Sequence, residues 1–287
     1  MSKETMPKEP MSKQPMLTEP TLTKHILTDQ LTLKKIADGT YQRQCDRVWW
    51  GQGSLLGGYV QSLMLRAMVR ELQDESKPAL TLHTQFLRPV TDETIRIDVT
   101  VERSGRKLSN LRASLYCGDR LAVVASGLFG QQATSHDFCD VEMPNLPKVG
   151  GNETPQLPNV GLDAHNHFDF FPRIGNFERG SGQTHVAGWL QPSWHHSVNN
   201  ELLALVADLW VPAAFHYWPS NVGVVGLDSY VQFRANPDQL TNSHGPLLLS
   251  LSTKQASNGY VDEDGLIWNS TGELLCQYRQ MRLVLDM

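Results

Sequence analysis

The chain has 287 residues, 40% of them hydrophobic and 19% charged, with a formal net charge of -5. That length accommodates about two domain-sized units and the apolar share supports a buried core, so a wholly disordered or fibrous chain is excluded. The acidic balance lacks the positive field that draws nucleic acid or an anionic membrane, which leaves small ligands as the expected partners.

Residues 1–24 place methionine at every fifth position, Met1, Met6, Met11 and Met16, among Lys, Glu and Pro. Their apolar surface is too small to offset the entropy of ordering, so they read as a disordered leader, and without an apolar run they do not read as a secretory signal. The folded part is expected to divide into a unit over 25–130, a Pro-, Gly- and Asn-rich linker over 131–161, and a second unit over 162–287. In the first unit, apolar residues recur at helical spacing from Leu55 to Leu72, followed by strand-like runs at 80–87, 94–103, 108–117 and 120–130. In the second, a strand at 184–192 and a helix over Asn199–Trp210 precede strands at 225–234, 247–256, 259–269 and 274–285. One helix followed by four strands thus occurs twice.

The repeat is also visible in particular residues. Gln85-Phe86 and Gln232-Phe233 stand 147 residues apart, and the turns at Gly118 and Gly272, each before a last strand, stand 154 apart. Each unit alone would expose a sheet edge, so pairing both into one continuous antiparallel sheet around two helices is the economical solution, an α+β architecture. Two independent α+β domains are the alternative.

Several familiar signals are missing. Gly51-Gln52-Gly53-Ser54-Leu55-Leu56-Gly57 resembles a dinucleotide turn, but its third glycine comes one place late and no acidic residue ends the next strand. A serine nucleophile elbow is absent. His165-x-His167 and His195-His196 lack a third ligand at fixed spacing, so neither a metal nor another cofactor is expected. Cys45, Cys117, Cys139 and Cys276 are isolated and read as reduced thiols, which favours a cytoplasmic setting. The longest mostly apolar stretch, Leu202 to Phe215, is interrupted by Asp208 and Pro212 and falls short of the ~20 residues that span a bilayer.

Asp208 is the one charge in that stretch, and burying a carboxylate there costs several kcal/mol, on the order of what a partner must return. It is either functional or a structural cap or ion pair, although the dipole of its own helix opposes a carboxylate at the C-terminal end. Pro212 ends or bends that helix, since it offers no N–H to the Asp208 carbonyl. In the last strand, alternation places Cys276, Tyr278, Gln280 and Arg282 on one face, which leaves Gln280 either solvent-facing or part of a site. Gly57-Gly58-Tyr59 opens a helix with bare N–H groups at Gly58 and Tyr59, suited either to an oxyanion or to close packing. Arg103, Arg106 and Lys107 gather in a turn that would either meet an anionic ligand tail or stand solvated. Asp262-Glu263-Asp264-Gly265 reads as a solvated turn.

Taken together, LLGGYVQSLMLRA, LTLHTQFLRPV, VERSGRKLSNLRASLY, LVADLWVPAA, GLDSYVQFR and GYVDEDGLIWNSTGELLCQYRQMRLV resemble the TesB-like acyl-CoA thioesterases, double-hotdog proteins, over roughly residues 40 to 287. The resemblance implies hydrolysis of a fatty acyl-CoA by an activated water, with Asp208 and Gln280 at the family's catalytic Asp and Gln, no cofactor, and self-association of the chain. The family's Thr or Ser falls on Gly226, a departure for which Ser229 is the nearest substitute hydroxyl. On this reading the Gly58 and Tyr59 N–H groups polarise the substrate carbonyl and Arg103 and Arg106 meet the CoA phosphates. Gly226 motivates one alternative, a catalytically weak acyl-CoA binding protein, while an enoyl-CoA hydratase would need an Asp–His pair that the sequence lacks. The 147-residue offset sets Gln61 opposite Asp208, so one site per chain is expected.

Overall fold

The structure is a computed structural model that describes residues 26–51, 53–133, 136–158, 160–175, 177–194, 197–219 and 222–286. The Met-rich leader and the His195-His196 pair lie outside the described residues. In the first half, α1 (Ile26–Gln30) leads into β1 (Lys34–Ala37) and β2 (Thr40–Gln44), and the short ladder of β3 (Trp50–Gly51) with β4 (Ser54–Leu55) precedes helix α2 (Gly57–Leu72). Strands β5 (Ala79–Phe86), β6 (Thr94–Ser104), β7 (Leu108–Cys117) and β8 (Arg120–Gly130) follow. The second half consists of β9 (Phe168–Ile174), β10 (His185–Pro192), α3 (Asn200–Val206), α4 (Ala213–Tyr217) and β11 (Val222–Phe233). It continues with α5 (Pro237–Asn242), β12 (Leu247–Ser252), the two-residue β13 (Ala256–Ser257), β14 (Tyr260–Trp268) and β15 (Leu274–Asp286).

The sheet runs β1-β2-β6-β7-β8-β5-β11-β15-β14-β12-β10-β9, with β13 beside β14. Setting aside the outermost strands, each half contributes its long strands in the order first, third, fourth, fifth, second, and the two runs meet in mirror order at β5 and β11. This is a double hotdog: two helix-wrapped antiparallel units joined in one sheet. At the seam Thr84 faces Ser229 and Leu82 faces Val231. The matched phenylalanines, Phe86 and Phe233, end the two central strands. Gly118 and Gly272 take positive φ of 57° and 96° in the turns before the last strands, where a side chain would be strained.

Helix α2 forms where the sequence periodicity places it and buries Tyr59, Leu63, Met64 and Met68 against the sheet and α3. Helix α3 is shorter than the expected Asn199–Trp210. It opens on an Asn199 cap that accepts the Leu202 N–H at 2.8 Å and stops at Val206. Beyond it the chain tightens, with the Asp208 N–H on the Leu205 carbonyl and the Leu209 N–H on that of Val206, both at 3.2 Å. The apolar pattern continues through this turn, but Pro212 cannot extend the bonding and instead caps α4.

The linker is less detached than its composition suggests. Val141, Met143, Leu146 and Val149 lie on Phe171, Trp189, Leu248 and Trp268, and the Trp189 indole N–H donates to the Pro147 carbonyl at 2.8 Å. The expected solvated turn at Asp262–Gly265 is a correction of another kind, because these residues are the middle of β14 and Glu263 is 1% exposed. Their composition is that of a turn, yet Tyr260-Val261 and Leu266–Trp268 on either side pair with β15 and β12 and carry the run into the sheet. No helix among the described residues is long and apolar enough to cross a membrane.

Candidate active site

Helix α2 begins without a local cap, since its N-cap residue is Leu56. Its unsatisfied N–H groups need an acceptor, and one comes from the other half of the molecule: Asp208 Oδ2 accepts the Gly58 N–H at 3.0 Å. The dipole of α2 favours a carboxylate here, which resolves the unfavourable placement of Asp208 at the end of its own helix. The approach depends on glycine. A methyl group at Gly57 would stand 2.6 Å from Asp208 Oδ2, and one at Gly58 only 2.3 Å from the Leu205 carbonyl oxygen. One turn on, the Ser62 hydroxyl donates to the Gly58 and Glu201 carbonyls, at 2.9 and 2.7 Å, and ties the two helices together.

The expectation that the Gly58 N–H is free for an oxyanion is therefore corrected, because the carboxylate occupies it. The Tyr59 N–H, third in the helix, has no acceptor within the helix. The Tyr59 ring stacks on Trp49 at 5.0 Å and its hydroxyl donates to the Gln30 carbonyl at 2.7 Å, so this backbone is held rigidly.

Asp208 Oδ1 is held by a residue that the sequence reading left without a role. Arg282 Nη2 stands 3.1 Å from Asp208 Oδ1 and 3.1 Å from Glu263 Oε1, so one guanidinium nitrogen bridges two carboxylates. Glu263 Oε2 accepts the Ala213 N–H at 3.1 Å. Burial pushes the Glu263 carboxyl above its ordinary range despite the attraction of Arg282. For Arg282 itself burial acts downward, but Glu263 and Asp208 outweigh it and the group is raised. The alternation that put Gln280 and Arg282 on one face was the available signal for this cluster, and the turn-like composition around Glu263 hid its third member.

Gln280 does not face solvent. It is 2% exposed, and its amide Nε2 donates to the Ala207 carbonyl at 3.0 Å, which fixes the turn that carries Asp208. Ser229 pairs with Gln280 across β11 and β15, and its buried hydroxyl has no hydrogen-bond partner. Gly226 is the residue opposite Arg282, and a Cβ there would meet nothing within 4 Å.

Asp208 and Arg282 line a cavity of about 120 Å³ whose other walls are apolar, among them Leu56, Leu162, Trp210 and Phe215. A larger concavity of about 650 Å³, lined by His185, Tyr230, Lys254 and Arg279, lies on the outer face of the sheet, away from this carboxylate. Among the described residues no group of three or more His, Cys, Asp or Glu is arranged to hold a metal ion. A half-buried carboxylate oriented by a backbone N–H and a guanidinium, lining a mostly apolar cavity, is equipped to take a proton from water.

Comparison with known proteins identifies the family of the chain. Residues 46–130 match the acyl-CoA thioesterase N-terminal domain and residues 142–284 match the acyl-CoA thioesterase C-terminal domain. The chain belongs to the acyl-CoA thioesterase family. It is a thioester hydrolase with a double-hotdog fold. A conserved hot dog protein from Alicyclobacillus acidocaldarius superposes with a TM-score of 0.84 at 18% identity, over 92% of this chain and 100% of its own. The TesB protein of Mycobacterium avium subsp. paratuberculosis gives 0.73 at 19% identity, over 90% and 98%. Acyl-CoA thioesterase II TesB2 of Mycobacterium marinum gives 0.70 at 20% identity, over 91% and 97%. At these identities the structural likeness speaks for the fold. No curated protein matches the sequence.

The thioesterase does not bring Arg103 and Arg106 to Asp208. Both are exposed, Arg103 at the end of β6 and Arg106 in the turn to β7, and Leu108 after that turn pairs with Gly130, whose N–H bonds the Pro78 carbonyl. The turn therefore lies at the start of β5, whereas Asp208 and Gly57 lie by Phe86 at its end. The length of the strand, on the order of 20 Å, separates them. Sequence spacing carries no information about which end of a strand a hairpin reaches.

Proposed function

We propose that the chain hydrolyses acyl-CoA to the free acid and CoA with water as the nucleophile and Asp208 as the base. The supporting observation is the Asp208 carboxylate, fixed on both oxygens by Gly58 and Arg282 and lining an otherwise apolar cavity. The water oxygen attacks the thioester carbonyl carbon as Asp208 takes one of its protons, and the carbonyl electrons move to oxygen. Among the first N–H groups of α2, those of Gly57 and Tyr59 are not engaged within the helix, and we assign one of them as the partner of that oxyanion. Collapse of the intermediate breaks the carbon–sulfur bond, and the proton held by Asp208 passes to the departing thiolate.

A thioester carbonyl is electrophilic enough for this path, so no covalent nucleophile is needed. Gln280 acts as a positioning residue through the Ala207 carbonyl. The test is release of free thiol from acyl-CoA substrates by the wild type and by Asp208→Asn. Loss of a base contributes a factor of about one hundred to ten thousand, so the variant should retain a hundredth of the rate or less. An Asp208→Asn enzyme within a fewfold of wild type would overturn the assignment.

A further inference from the structure

We infer that the acyl group taken by this site is short, about four to six carbons, bounded by a wall of Leu162, Trp210 and Phe215. The inference rests on the proposed hydrolysis at Asp208. Its starting point is volume and polarity. The cavity measures about 120 Å³, and an apolar cavity of about 150 Å³ takes a ligand the size of benzene, with six carbons. Its polar groups, Asp208 and Arg282, are those of the proposed reaction, so the thioester carbonyl belongs beside them and the acyl chain against the remaining apolar lining. The amide-bearing arm of CoA would find no partners along that lining and would pay for desolvation, which leaves the apolar side to the acyl group.

The wall is built to stay in place. The Trp210 ring packs edgewise with Phe170 at 5.5 Å and against Phe177 at 5.4 Å. A further side of Trp210 lies so close to Gly188 that a methyl there would stand 2.6 Å from the ring. Phe215 is held under the Arg179 guanidinium at 4.2 Å. Leu162 also lines the cavity, seated over Gly51, which has no side chain to displace it. Lengthening the chain would require these packed rings to move, and each methylene that a pocket cannot seat costs about tenfold or more in selectivity.

The test is kcat/KM by thiol release with butanoyl-, hexanoyl-, dodecanoyl- and hexadecanoyl-CoA, for the wild type, Phe215→Ala and Leu162→Ala. The wild type should prefer butanoyl- or hexanoyl-CoA by about tenfold or more over dodecanoyl-CoA, and each folded variant should move that ratio toward the longer chain by a similar factor. A wild-type maximum at dodecanoyl- or hexadecanoyl-CoA would overturn the short-chain inference while leaving the hydrolysis intact. Short-chain preference that neither variant shifts, with circular dichroism matching the wild type, would overturn the assignment of the wall. No thiol release from any substrate would overturn the proposed reaction itself, and the inference with it.

Discussion

The two hotdog halves share a strand order but differ in what they bury. The first wraps a helix of 16 residues, α2, and the inward positions of its last strand are Val123, Ala125, Gly127 and Phe129. The second wraps a helix of 7 residues, α3, and its last strand turns Tyr278, Gln280 and Arg282 inward. Where the repeat places Asp208 in the second half, the first has Gln61, buried and without a hydrogen-bond partner on either amide atom. A carboxylate is sustained only where a countercharge comes with it, and only the second half supplies Arg282. The first half gives that carboxylate the N-terminus of α2. The Asp208 cluster is thus assembled from both units, with the helix end from one and the charges from the other.

The sharpest way to break this asymmetry is to remove the countercharge. Arg282→Met would leave Asp208 and Glu263 facing each other without a cation, and breaking a buried pair in this way costs about 3–5 kcal/mol. Urea denaturation should show a loss of that size, and an unchanged midpoint would mean that the carboxylates need no partner. Gly58→Ala ranks next. Its methyl would press on the Leu205 carbonyl, so either the helices part or Asp208 moves, with a loss of about 1–3 kcal/mol and reduced thiol release. Full stability and activity in that variant would deny the close approach.

A gain is expected at Gly226. It faces Arg282 across β11 and β15, and directly opposed residues share a face of the sheet, so a hydroxyl there would stand at the Asp208 cavity. Gly226→Thr meets no steric obstacle within 4 Å of its Cβ, and one added hydrogen bond to the water should raise kcat by about fivefold. A decrease would show that the water lies elsewhere. The smallest effect concerns pH. Burial lowers His165 and His216 in the second half from their ordinary value of 6.5. Groups lowered in the folded state bind fewer protons than the unfolded chain, so their contribution is present above pH 6.5 and is lost as pH falls below it. Thermal midpoints measured across that range should fall with acidity, and less steeply in His165→Asn; an identical slope would exclude His165 as a source.

Much of this architecture was legible in the chain. The helical spacing over Leu55–Leu72 and the alternation in the strands follow from burying one face, and that requirement is local. Asp208 stood out because a charge in an apolar run has to be explained by something beyond the run. The companions of Asp208 were harder to see. Glu263 sits in an Asp-Glu-Asp-Gly run whose turn composition is overruled by the pairing of β14 on both sides, and pairing is a property of the sheet. The bare N–H of Gly58 was readable, but its acceptor lies 150 residues away. Arg103 and Arg106 were read as ligand-binding from charge, and the end of the sheet they occupy is set by strand direction, which the spacing does not show.

The central claim is that one hydrolytic centre, dependent on Asp208 and not on Gln61, serves the whole chain. It is tested most directly by kcat/KM for thiol release from hexanoyl-CoA in Asp208→Asn and Gln61→Ala, side by side with the wild type. Asp208→Asn should lose about a hundredfold or more, and Gln61→Ala should stay within about tenfold of the wild type. Equal losses in the two variants would mean that both halves carry the chemistry, and would contradict the account.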